Sequence, residues 1–364
     1  VRFVYSRWDD DLYTRLKNLS DLMAIFNYLL MRLNGDVQKT LKLMERLQQQ
    51  GILDAGYDLE EFANSLEKAR LVRRSKSGLK LSAKGERQLR RDAFEAVFQK
   101  MKASGKGQHA LPYEGGTSDE LLPEKRGFAF GDSMQAVDFQ SSMFNSITRT
   151  GGLGLNLEER DLEVYESERH TSCATVLMID VSHSMILYGE DRITPAKQVA
   201  MAFTELILTR YPRDDLSIVL FGDTARQVSI KDLPYVGVGP YHTNTQAGLR
   251  MARRILLAKK HVNKQIFMIT DGKPSMITRA NGQLYKNPIG LDPMIVNRTL
   301  DEAVICRKKK IPITTFMVTD DAYLQSFVKR LTELNHGRAY FSSAENLGSF
   351  IIWDFVANRR RKTG

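Results

Sequence analysis

The chain has 364 residues, of which 42% are apolar and 26% charged, and a formal net charge of +10. That length exceeds one ordinary core and suggests two domains, while the charge admits an acidic partner surface or weak nucleic-acid contact and demands neither. The longest apolar runs, such as Thr175–Ile179 and Ile311–Val318, have strand length, far short of the roughly 20 residues a spanning helix needs.

Two cysteines, Cys173 and Cys306, sit in apolar segments. They read as small hydrophobes and argue against a disulfide scaffold. No charged-then-apolar leader is read at the start. Together these features lead to the expectation of a cytoplasmic protein without a membrane span.

In chain order, residues 18–103 predict a mainly helical region. Leu22, Ile25, Phe26 and Leu29 recur at helical spacing after Ser20, a candidate cap. Val37, Leu41, Met44 and Leu47 repeat the pattern, with Gly51 as a stop. A third helix is expected at 58–70, a short strand at Leu79–Leu81, then a long helix carrying Phe94, Val97, Phe98 and Met101. Residues 104–128 show no apolar periodicity and read as a long surface linker or loop. A bridging segment follows, with a helix from Val137 to Ile147, a Gly-rich stop at 151–154 and a strand at Leu162–Tyr165.

From residue 172 the pattern is regular. Strand-like runs at 174–180, 215–222, 264–270 and 312–318 alternate with helical patterns at 195–210, 244–259, 298–309, 322–335 and 344–359. Thr194 and Pro195 are expected to open the first helix as cap and first-turn proline. Alternating buried strands and helices predict an α/β, Rossmann-like, mostly parallel sheet covered on both faces. The expected organisation is a helical domain at 1–103, a linker and bridging segment at 104–170, and the α/β domain at 171–364.

The first strand ends at Asp180, followed by Val181, Ser182, His183 and Ser184. Ligands of open α/β sheets bind outside the carboxyl ends of strands. If the loop stays extended, the spacing of two points Asp180, Ser182 and Ser184 the same way. One carboxylate and two hydroxyls are hard oxygen donors that suit Mg²⁺ rather than a soft metal. Taken alone, the motif reads equally as a helix cap with exposed serines. Thr243, just before the helix at 244–259, and Asp271, which ends the strand at 264–270 and precedes Gly272, add oxygen donors at the same sheet edge.

This ordered set, Asp-x-Ser-x-Ser, Thr, then Thr-Asp-Gly, resembles the metal-ion-dependent adhesion site of von Willebrand factor A domains. The resemblance implies Ser182, Ser184 and Thr243 as hydroxyl ligands, with Thr245 the competing threonine. Asp180 and Asp271 would act through water or from just behind the ligands. It implies Mg²⁺, with Mn²⁺ or Ca²⁺ as substitutes, and an open coordination position filled by an acidic side chain of a client protein. His183, His242, Gly272 and Lys273 are placed as partner-binding residues beside the metal, the two histidines reading as exposed loop residues rather than proton sensors. The segment 274–297 is long for a connection and is either part of the site or a variable insertion.

Phe3–Asp9, Leu81–Gly85 with the helix after it, and Phe130–Asp132 look like a bacterial group that couples a helical region to an A domain. That group is similar to the A-domain subunit of magnesium chelatase and associates with MoxR-type AAA+ ATPases. The implied role is a non-catalytic, chaperone-like adaptor that acts with such an ATPase in assembly, remodelling or metal insertion of a target.

No Gly-x-Ser-x-Gly elbow, Walker-type phosphate loop or zinc-spaced histidine set is present, so an enzyme is not expected. Lys68, Arg70, Arg73, Arg74, Lys76, Lys80, Lys84, Arg87, Arg90 and Arg91 cluster around a helix–strand–helix pattern. A winged-helix-like, nucleic-acid-binding regulator is one alternative reading of them. A solvated basic face or a dock for an acidic protein is another, and nucleic acid is the less expected partner. A secreted adhesion protein is the remaining alternative.

Overall fold

The computed structural model describes residues 21–75, 78–103, 121–128, 137–151, 157–167, 172–189, 191–239, 241–279, 281–287, 290–318, 321–341 and 347–361. The motifs Phe3–Asp9 and Phe130–Asp132, the cap at Ser20 and most of the expected linker lie outside them. The chain divides into two compact units, one of residues 1–106 with 172–355, the other of 107–171 with 356–364.

In the first unit, three helices open the described chain: α1 (Leu22–Arg32), α2 (Val37–Gln49) and α3 (Leu59–Lys68). Each starts at an aspartate, Asp21, Asp36 and Asp58, whose side chain accepts a main-chain N–H of the first turn. Such caps satisfy donors that a helix cannot satisfy itself. An antiparallel hairpin follows, β1 (Val72–Ser75) with β2 (Gly78–Leu81), and then the long α4 (Ala83–Ala103). β1 escaped the sequence reading because three of its four residues are exposed and polar.

The second unit holds β3 (Leu121–Gly127), α5 (Phe139–Thr150) and β4 (Glu163–Ser167). β3 pairs antiparallel with β4, so the end of the expected loop at 104–128 is a strand. Asp138 caps α5, and Gly151 ends it in the left-handed region at φ 67°.

The remainder of the first unit is an α/β layer structure. In chain order it comprises β5 (Cys173–Asp180), α6 (Ile193–Arg210), β6 (Asp215–Phe221), β7 (Ala225–Val228), α7 (Thr245–Ala258) and β8 (Asn263–Thr270). Then come β9 (Met276–Thr278), β10 (Leu284–Lys286), α8 (Pro293–Lys308), β11 (Ile313–Met317), α9 (Ala322–Asn335), β12 (Arg338–Phe341) and α10 (Leu347–Arg361). The six-stranded sheet runs β12-β11-β8-β5-β6-β7. All its pairings are parallel except β6 with the edge strand β7. The sheet is therefore mixed, and β7 and β12 were not predicted, since neither carries an apolar run.

Every residue of β5 is buried, as befits a central strand covered on both faces. Alternation sends Val176 and Met178 to one side, with Val219, Phe221, Leu249, Ile266, Met268 and Met317. The other side holds an aromatic stack, in which Phe267 lies 5.4 Å from both Phe203 and Phe316 and Phe203 lies 5.1 Å from Phe355. Such contacts add to the burial term that dominates folding.

The N-terminal helices pack on this layer. α4 lies along α6, and the half-buried-to-buried pair Arg90 and Glu205 meets at 3.4 Å between them. Lys197 of α6, 1% exposed, donates from Nζ to Met31 O at 2.5 Å, Val236 O at 2.7 Å and Asn34 Oδ1 at 3.2 Å. Thr194 does not cap α6. It is buried inside the helix, whose cap position is Arg192, and its own N–H is met by Asp191 Oδ1 at 3.0 Å. Cys173 and Cys306 are free and buried. Among the described residues no helix is long and apolar enough to cross a membrane.

Candidate functional site

The site forms where β5 and β8 end side by side. Asp180 is the last residue of β5 and Thr270 the last of β8. Asp180 is fully buried and both of its oxygens are engaged. Oδ1 accepts the Ser182 N–H at 2.9 Å, and Oδ2 accepts the Thr270 hydroxyl at 2.7 Å. Thr270 Oγ1 in turn accepts the Gly272 N–H at 3.1 Å. Asp180 is thus held in a fixed orientation behind the loop rather than presented in front of it.

The loop is not extended. His183–Gly189 forms a 3-10 helix, and the same-side argument from a spacing of two does not apply. The tight turn brings the hydroxyls together instead: Ser182 Oγ and Ser184 Oγ lie 2.9 Å apart. Two cis oxygens of an octahedral Mg²⁺ at about 2.0–2.1 Å would stand at the same separation. Ser184 also hydrogen-bonds the Asp271 side chain, so Asp180, Ser182, Ser184 and Asp271 form one connected group.

Thr243, 2% exposed, reaches the same edge on the segment before α7. His183 N–H donates to Tyr241 O at 3.0 Å, which ties that segment to the serine loop. Thr243 N–H donates to Ser275 Oγ at 2.9 Å, and Thr243 O accepts from the N–H groups of Ser275 and Met276. Asn244 caps α7 by accepting the Ala247 N–H at 3.0 Å, while the rival Thr245 is the first residue of that helix and is also buried.

The electrostatics are those of a site short of positive charge. Burial first, and then the neighbouring Asp271 carboxylate, push the Asp180 carboxyl up to about 7. Burial raises Asp271 as well, against hydrogen bonds from Ser184 and Lys273 and the charge of Arg192. Two buried carboxylates this close favour a proton or a cation between them. Among the described residues no group of three or more His, Cys, Asp or Glu gathers as a metal site. The donor set here is different in kind, two carboxylates and three hydroxyls, and it fits a hard cation.

Of the residues placed around the metal, His183 is exposed and His242 half-buried. The His242 N–H donates to Asp223 Oδ1 at 2.6 Å, and its ring Nδ1 lies 3.3 Å from the same oxygen. His242 is therefore committed to Asp223. Lys273 contributes its main-chain N–H to Asp271 Oδ1 at 3.3 Å. Gly272 is buried with φ 89°, and an added Cβ would meet Met317 at 3.0 Å, so it is there for the backbone turn. Sequence reasoning quoted Thr270 only as the start of the Thr-Asp-Gly run and missed that it fixes Asp180; it missed Ser275, which fixes Thr243, because a single hydroxyl without a repeating spacing leaves no signal to find.

A family model described as the vWA domain of Rv0959-like protein matches residues 173–356. A second, the third domain of Rv0959-like protein, matches residues 120–167. Relatives in Mycobacterium tuberculosis and Mycobacterium bovis, described as uncharacterized proteins, are 27% identical over 362 residues, which is 97% of this chain and 49% of theirs. The chain thus spans about half the length of the curated relatives it matches. Similar solved structures include the pilus adhesin SpaC from Lactobacillus rhamnosus GG, with TM-score 0.43, 17% identity, 53% of this chain covered and 30% of that one. The vWF domain of the type V pili tip protein Mfa5 from Porphyromonas gingivalis gives TM-score 0.40 and 15% identity, covering 53% of this chain and 96% of that one.

The comparisons correct several expectations. The expected grouping with MoxR-associated and magnesium-chelatase-like proteins gives way to the Rv0959-like family. With it go the MoxR-type AAA+ ATPase partner, the chaperone-like role in remodelling or metal insertion, and the cytoplasmic location, none of which the matched family carries. The physical reason is that the oxygen-donor set is shared by A domains at large and does not tell one group from another. Of the other residues that suggested the grouping, Leu81–Gly85 is only the end of β2 and the start of α4.

Proposed function

The chain belongs to the Rv0959-like family of von Willebrand factor A-domain proteins, and from that premise we propose that it is a non-catalytic binding module that takes hold of a partner protein through a divalent cation, Mg²⁺ in the first place. One observation carries the reading: the Ser182 and Ser184 hydroxyls stand 2.9 Å apart beside two buried, charge-frustrated carboxylates. When bound, Mg²⁺ would supply a Lewis-acidic position for an acidic side chain of the partner. Ser182, Ser184 and Thr243 would hold it; Asp180, fixed by Ser182 and Thr270, and Asp271, fixed by Ser184 and Lys273, would offset only part of its charge from behind the contacting hydroxyls. Three neutral hydroxyls leave the cation under-neutralised, so an incoming carboxylate gains strongly. Mn²⁺ fits the same donors, whereas Ca²⁺ prefers longer bonds of about 2.3–2.6 Å. In this sense the role is of the adhesion type, the alternative first raised from the sequence.

The order α1, α2, α3, then the hairpin β1–β2, supports a winged-helix-like reading of residues 22–81. Glu60 and Glu61 occupy the first turn of α3, where they would repel phosphates, so nucleic acid is not proposed as its ligand.

The test pairs calorimetric Mg²⁺ titration with capture of partners from cell extract, using wild type and Thr243→Ala. The expected result is stoichiometric Mg²⁺ binding and a captured partner for wild type, with Mg²⁺ binding weakened but measurable and the partner lost in the folded variant. A wild-type protein that does not bind Mg²⁺ would end the proposal.

A further inference from the structure

Between Asp271 and α8 the described residues form a built element. β9 and β10 pair antiparallel, with Tyr285 opposite Ile277. The Arg279 guanidinium sits 4.7 Å above the Tyr285 ring. At its base Asp292 gathers the Tyr285 hydroxyl and the Asn287 side chain, both at 3.0 Å, and also accepts the Met294 N–H that starts α8.

This hairpin grips the segment that carries Thr243. Ser275, 7% exposed, accepts the Thr243 N–H on its Oγ at 2.9 Å and returns its own N–H to Thr243 O at 3.0 Å. Met276 N–H adds a bond to the same oxygen at 3.2 Å. One turn further on, the Asn244 side chain donates to Thr278 Oγ1 and Thr278 N–H donates to Gln246 Oε1, each at 3.1 Å. Both main-chain polar groups of Thr243 are thus spent on the hairpin. Because the hairpin leaves directly from Asp271, it sets the distance between the threonine and the β8 carboxylate.

We infer that Ser275 is the positioning residue of the third hydroxyl, and that the β9–β10 hairpin is a working part of the cation site rather than a variable insertion. The inference rests on the cation reading above. Ser275 does not contact the cation; it acts through Thr243. Its hydroxyl is needed as an acceptor for a buried N–H, and an unmet donor there lets the threonine swing out of register.

The experiment is Mg²⁺ titration by calorimetry on the full chain in four forms, wild type, Ser275→Ala, Thr243→Ala and the double variant, with denaturation midpoints measured in EDTA. Loss of one hydrogen bond predicts an affinity drop of about fivefold to tenfold for Ser275→Ala. Since Ser275 acts only through Thr243, adding Ser275→Ala to Thr243→Ala should cost no further affinity. A folded Ser275→Thr, which keeps the acceptor, should bind within about twofold of wild type. Wild-type affinity in Ser275→Ala, a fully additive double variant, or a Ser275→Thr as weak as Ser275→Ala would each overturn the inference. Absence of Mg²⁺ binding by wild type would instead overturn the cation reading on which it stands.

Discussion

Lys197 donates its ammonium to the main-chain oxygen of Met31, a residue 166 positions earlier. The bond joins the end of α1 to the helix that follows the serine loop. Met31 belongs to the last turn of α1, where carbonyls lack helical partners and the helix dipole is negative. Val236 O and Asn34 Oδ1 complete the set, so three acceptors meet the three N–H bonds of one ammonium.

Replacing Lys197 with methionine should therefore cost about 2 kcal/mol, because buried acceptors lose their donor. Burial pushes the ammonium down to about 7, against the opposing charge of Asp191. Below that pH folded and unfolded chains both carry the proton. Between there and the ordinary lysine value of about 10.4 only the unfolded chain does. The unfolded state then binds more protons, so stability contributed by this group rises with pH across the window. Urea denaturation at pH 7, 8 and 9 should show a rise in wild type that flattens in Lys197→Met.

Asp271→Asn should separate stability from cation binding. Removing one of two buried carboxylates relieves their repulsion. In EDTA the variant should be more stable than wild type by about 1 kcal/mol, while the Mg²⁺-induced rise in melting temperature disappears. A variant less stable in EDTA and still stabilised by Mg²⁺ would contradict this account of the site.

At Gly272 the backbone lies at φ 89° with Met317 close by. Gly272→Ala should lose about 1–2 kcal/mol from the left-handed backbone and the contact. Mg²⁺ affinity should fall as well, because the Gly272 N–H holds Thr270 Oγ1. Chemical denaturation and titration on one sample read both effects.

Asp354 of α10 is fully buried and meets Arg338 of β12 through both carboxylate oxygens, with the Tyr340 hydroxyl on one of them. Arg338→Met strands that carboxylate away from its guanidinium and should destabilise by about 3 kcal/mol. Circular dichroism melts should show the loss, with Mg²⁺ affinity per folded molecule unchanged.

The central strands were legible because β5, β6, β8 and β11 are continuous apolar runs, as a strand buried on both faces must be. β7, with Arg226 and Gln227 exposed, and β12, half-buried throughout, are defined by their neighbours rather than by their own residues. The oxygen donors Asp180, Ser182, Ser184 and Asp271 were visible as a motif, and the structure joins them. The geometry that joins them was not visible, since the expected extended loop is a 3-10 turn. The roles of Thr270, Ser275 and Lys197 left no trace in the sequence: each acts through one or a few hydrogen bonds to groups far along the chain, and such partners have no local pattern.

The way α6 is held has a practical consequence for anyone handling this protein in pieces. A fragment begun at residue 173, where sequence similarity to A domains starts, would carry α6 with its ammonium stripped of Met31 and Asn34 and with Glu205 parted from Arg90. The exposed stripe where α4 had lain would invite self-association. A fragment that keeps these contacts retains the helices from Leu22 onward, and a domain border drawn by similarity alone cuts through a core.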